Sequence, residues 1–165
     1  MKLLLYCTKG KPYLVYGSKF DGGSFIDKYC LTRGYSKQQA DKIWGSLNGK
    51  IVAECDYEIK DLKYSEELLK KSCLTASEIF NYIKNSNTAY EIHIKNLNIY
   101  KSPRELSSYT CVKAPQNMQY VYTCYDKNEY ALISIQPQWI CKILNGEKTI
   151  VVRKKVLRGM LWKVS

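Results

Sequence analysis

The stretch PQWICKILNGEKTIVVRKK, residues 137–155, confines the fold more than any other part of the chain. Pro137 suits a first helical position, where a missing N–H is harmless. Trp139, Ile140, Ile143 and Leu144 then fall at helical spacing, Gly146 is placed as a C-terminal cap, and Thr149 to Val152 are β-branched throughout. LISI, residues 132–135, reads as a strand, so the order is strand, helix, turn, strand. Such a chain mixes helix with sheet. The turn sets a helix C-terminus, with its partial negative charge, next to Lys148, and opens a strand expected to carry Arg153, Lys154 and Lys155 outward.

Strand signals recur along the chain. Leu3 to Thr8 alternates Leu3, Leu5 and Cys7 with Leu4, Tyr6 and Thr8, and a second apolar patch spans Tyr13 to Tyr16. Residues 17–46 are rich in Gly, Lys, Ser and Asp and read as an inserted elaboration; within it Ser36 and Gln39 have capping-box spacing and predict a short helix ending near Gly45. Asn48-Gly49 signals a turn into a strand with Ile51, Ala53 and Cys55 on one face and Val52, Glu54 and Asp56 on the other. Thr75 and Glu78 again fit a capping box, with Ile79, Phe80 and Ile83 along one stripe of a helix expected to pack on a sheet. YEIHIKNLNIY follows as a strand whose faces exchange roles around Lys95 and Asn96, which predicts a bulge. KSPRELSSY reads as a turn with one helical turn, and APQNMQYVY as a loop into another strand.

A length of 165 residues fits one domain. No window approaches the roughly 18 to 20 apolar residues of a membrane span, and MKLLLYCTKG lacks the apolar run of about 7 to 15 residues that a signal peptide needs, so a cytoplasmic protein is expected. Seven cysteines without a CxxC pair, and a single histidine, His93, argue for reduced thiols and against a closed zinc site; no metal or cofactor is expected. The net charge of +11 attracts polyanions, so nucleic acid, nucleotides or acidic proteins are the natural partners; a basic surface serving solubility alone is the alternative.

ISIQPQWICKILNGEKTIVVRKK resembles the ASCH family, a branch of the PUA-like β-barrels with the signature G-x-K-x-x-E-x-R. Gly146, Lys148 and Arg153 match it, and Val151 stands at the Glu position. LLLYCTKGKPYL, NGKIVAECD, YEIHIKNLNIYKSPRELS and APQNMQYVY are similar to segments of small ASCH-like proteins of bacteriophages and prophages. The family's signature usually precedes the YCTKG strand, whereas here it follows, as in a circular permutation. The resemblance implies an α+β fold: a closed or nearly closed PUA-like β-barrel with a few flanking helices, in a bacterial host cell.

It also implies a cleft in which cations and an aromatic surround a base or phosphate, here Lys148 and Arg153 with Thr8 and Lys9 as weaker candidates. The expected function is binding of RNA or a nucleotide, with a host protein as a further possible partner in a counter-defence role. Arg153 has the fork that grips phosphate or a guanine edge. Trp139 is either core or a stacking surface; Gln116 either presents its amide to a base or caps a loop; His93 either bonds to backbone or contacts ligand. A family branch that hydrolyses N4-acylated cytidine uses a Thr nucleophile at the signature's Glu position, assisted by the Lys and by a Glu elsewhere. Val151 has no hydroxyl, so that mechanism fails at its first step, leaving Thr149 as a substitute hydroxyl and Lys148 as a base if the chain is an enzyme.

Overall fold

The computed structural model describes residues 1–9, 47–109, 113–123 and 128–161. The Tyr13–Tyr16 patch, the 17–46 elaboration with its expected helix, and Cys30, Cys111 and Cys124 lie outside them. The described chain is α+β. Six strands, β1 (Lys2–Cys7), β2 (Ile51–Asp61), β3 (Tyr90–Arg104), β4 (Met118–Tyr122), β5 (Glu129–Ile135) and β6 (Ile150–Arg153), form one mixed sheet in the order β4-β5-β1-β2-β3-β6. Among the described strands only β1 and β5 run parallel. The sheet curls into a half-barrel, compatible with the barrel-like fold expected, with β4 and β6 as the outermost of the described strands.

Every residue of β1 after Lys2 is buried, as a central strand covered on both faces requires. Leu3, Leu5 and Cys7 join the main core, and Leu4 and Tyr6 join a second cluster with Tyr100, Tyr109 and Val121 on the opposite face. The simple alternation expected in β2 fails at its start. The pairing shifts between Ile51 and Ala53, so Ile51 packs in the second cluster while Val52, Ala53 and Cys55 all join the main core. The bulge expected in β3 is present: Glu54 pairs with Asn98 but Asp56 with Lys95, Asn96 has φ +51°, and Asn96 Nδ2 donates to Asp56 Oδ2 at 2.9 Å. Ile92 and Ile94 before it, and Leu97 and Ile99 after it, thereby meet the same core. β3 continues through Pro103 to Arg104, where a turn was expected, and a 3-10 turn follows at Leu106–Ser108.

Four helices are described: α1 (Glu66–Ser72), α2 (Ala76–Ile83), α3 (Pro137–Leu144) and α4 (Arg158–Leu161). α1 is absent from the sequence expectations although Ser65 caps it, its side chain accepting from Leu68 N. α2 carries the expected reciprocal capping box of Thr75 and Glu78. Ile79 is buried against Leu68, Ile150 and Val152, but Phe80 is 59% exposed, because its helical position turns it off the Ile79–Ile83 stripe. α3 buries Ile140, Cys141, Ile143 and Leu144 in the main core and ends in a Schellman motif: Glu147 N donates to Lys142 O, and Gly146 N, at φ +85°, to Ile143 O. Met160 of α4 closes the same core. No described helix is long and apolar enough to cross a membrane.

Candidate functional site

β5 and β6 are joined by α3 yet lie far apart in the strand order, so the chain between them crosses the open side of the half-barrel. There a cavity of about 590 Å³ opens, walled by the end of β5 and start of α3 (Ser134 to Gln136, Trp139), by Lys148 and Val151 to Arg153, by Leu74, Glu78 and Tyr82, by the Pro115–Asn117 loop, and by Thr8. Ser134 anchors that loop, its N–H donating to Asn117 O and its hydroxyl to Pro115 O.

The turn after α3 aims Lys148 into the cavity. Its backbone N–H donates to Lys142 O, and its ammonium donates to the Ser72 carbonyl at the C-terminus of α1 at 2.5 Å, the residue as a whole being only 4% exposed. The Trp139 ring centroid lies 4.9 Å from the ammonium. Burial pulls the Lys148 pKa down to about 8, with Arg153 and Lys142 pushing the same way and Cys73 and Glu78 opposing.

Arg153 does not point outward as expected. Its guanidinium turns back over the cavity and Nη2 donates to Ser134 O at 2.8 Å, tying edge strand β6 to β5 across the open side. Its Nε is buried and finds no partner among the described residues. Burial lowers its pKa, while the Tyr82 hydroxyl holds it up. Among the described residues neither Lys148 nor Arg153 has a carboxylate within ion-pair distance. A buried cation, Lys148, and a half-buried one, Arg153, thus share one cavity and repel each other.

Of the residues singled out in the sequence, Lys148, Arg153, Thr8, Gln116 and Trp139 line this cavity, and Trp139 packs on the main core as well. Lys9 does not; its side-chain stem lies against Gly49, where a Cβ would come within 3.1 Å of Lys9 Cγ. His93 does not either. Its Nε2 is 2.9 Å from Glu91 Oε1, and Glu91 also accepts from Lys63 N, so the pair ties β3 to the chain entering α1. Val151 presents an apolar wall, and Thr149 is not part of the lining. Sequence reasoning missed Tyr82 and Glu78, which depend on how α2 docks. The Glu78 carboxylate accepts from Thr75 N as half of the capping box, which the sequence does show. Lys154 lies outside the cavity with its ammonium 4.8 Å from the Tyr82 ring centroid, and Lys155 is exposed.

Among the described residues no cluster of His, Cys, Asp or Glu is placed to hold a metal ion. What the cavity offers is two cations, the Glu78 carboxylate, an indole and a few amides and hydroxyls. Comparison with protein-family models, curated proteins and solved structures found no match to the chain.

Proposed function

We propose that this half-barrel is of the PUA-like, ASCH type, with its signature segment permuted to the C-terminal end, and that its cavity binds one nucleotide unit, free or within RNA. The observation that carries the reading is a pair of cations, buried Lys148 and half-buried Arg153, that line one cavity and have no carboxylate within ion-pair distance among the described residues. Charges so placed are costly unless something anionic meets them, and an anion supplies the missing partner. Trp139 adds an aromatic surface beside Lys148, Gln116 an amide, and a volume of about 590 Å³ lies within the range of small-molecule sites, about 300–1,000 Å³.

The test is binding of nucleoside monophosphates and of a short labelled single-stranded RNA to wild type and to Arg153→Gln at two salt concentrations. Wild type is expected to bind, and Arg153→Gln to weaken binding at least ten-fold while melting normally. No binding by wild type refutes the reading and directs attention to a protein partner.

A hydrolytic reading has one specific observation in its favour: Lys148, with its pKa near 8, shares the cavity with the Glu78 carboxylate. Because Val151 supplies no nucleophile, water would be the attacking group. Release of acetate from N4-acetylcytidine by wild type and not by Lys148→Ala would establish it.

A further inference from the structure

The line of cations and aromatics does not stop at the cavity mouth. Inside are Lys148 and Trp139, then Arg153; Tyr82 stands between Arg153, whose charge its hydroxyl supports, and Lys154, whose ammonium lies over its ring. Tyr82 both lines the cavity and keeps 41% of its surface open, so it is a rim residue with one side facing each way. The Lys154 backbone is pinned by Thr88 Oγ1, which donates to its carbonyl, and the Lys155 carbonyl accepts from Asn117 Nδ2, so the rim is attached to both sides of the opening. Among the described residues no carboxylate pairs with Lys154 or Lys155. An aromatic step flanked by unpaired cations, continuous with a cationic cavity, matches the repeat of base and phosphate along a single strand.

We propose that Tyr82 and Lys154 form a second nucleotide subsite, so that the cavity takes its nucleotide from within a single-stranded polynucleotide while the neighbouring base stacks on Tyr82 and Lys154 holds the phosphate between them. This rests on the nucleotide reading of the cavity. The half-exposed contact of Lys154 with the ring is weak and readily exchanged for a phosphate. A free mononucleotide fills only the inner subsite and leaves the rim idle.

The experiment compares a labelled single-stranded RNA 8-mer with the four nucleoside monophosphates, on wild type, Tyr82→Leu and Lys154→Gln, across a salt series. The readout is the ratio of 8-mer to mononucleotide affinity. Wild type is expected to favour the 8-mer, and Tyr82→Leu to cut that ratio roughly ten-fold, the loss typical of one stacked base. Lys154→Gln is expected to lower the log–log salt slope for the 8-mer by about 0.7, the share of one phosphate contact on a single strand. Equal ratios in wild type and Tyr82→Leu overturn the second subsite, and unchanged mononucleotide affinity in Lys154→Gln, whose side chain lies outside the cavity, leaves the inner one standing. Wild type that binds neither probe overturns both readings together.

Discussion

Replacing Lys148 with methionine tests whether the cavity holds a charge at the expense of the fold. Burial brings this ammonium from 10.5 to about 8. At about 1.4 kcal/mol per pH unit, keeping it protonated at pH 7 costs the folded state roughly 3 kcal/mol. Below pH 8 the folded and unfolded chains both hold the proton and the cost is fully present. Between about 8 and 10.5 the unfolded chain keeps the proton and the folded chain has shed it, so stability rises with pH through that window. At pH 9.5 the residual cost is only about 1 kcal/mol. Methionine removes the charge and also the contacts to the Ser72 carbonyl and Trp139; contacts made only by the ammonium are already contained in its pKa, and those the neutral amine keeps contribute equally at both pH values. The stability of Lys148→Met relative to wild type is therefore expected to be more favourable at pH 7 than at pH 9.5 by about 2 kcal/mol. Urea unfolding of both proteins at the two pH values measures this, and taking the difference between proteins cancels the other titrating groups. A Lys148→Met effect that is the same at both pH values would show that the ammonium is not held at a cost, and the argument for an absent anionic partner would fail with it.

Two further outcomes follow from local geometry. Gly146→Ala keeps every contact, since a Cβ there meets nothing within 4 Å, but φ +85° strains an L residue; a loss of about 1 kcal/mol is expected. Thermal melting checks this, and Gly146→Asn should lose less. Cys7 and Cys55 are buried and burial pushes both thiols up to about 12, so peptide mapping after iodoacetamide treatment at pH 8 should find them unmodified in the folded protein and modified in urea.

How far the sequence reveals this molecule depends on whether a feature is local. Pro137, Gly146 and the β-branched residues after it define α3, its Schellman turn and β6 because each acts on its own stretch of backbone. The bulge in β3 is readable because the apolar positions change parity around Asn96. The shift at Ile51 is not, since Ile51, Val52 and Ala53 are all apolar and any of them can face either core. Phe80 misleads for a related reason: hydrophobicity alone does not tell the buried side of a short helix from its neighbour. At the site, Lys148, Trp139 and Arg153 come from one continuous segment, whereas Tyr82 and Glu78 reach the cavity only through the docking of α2. The inward turn of Arg153 is equally invisible, because its acceptor is a backbone carbonyl, Ser134 O, and every residue has one.

The parallel pairing of β1 with β5 sets the order in which the molecule can assemble. β2 with β3, and β4 with β5, are antiparallel pairs of sequence neighbours and can form early, whereas Lys2 must find Tyr130 before the two halves of the sheet become one. On the ribosome β1 emerges before the other described strands and waits for β5. β6, which supplies Val151 and Arg153, emerges later still. A chain stopped short of Ile150 retains both antiparallel pairs and loses the cavity wall that carries its guanidinium. The cavity, unlike either antiparallel pair, is complete only when β1, β5 and β6 have come together.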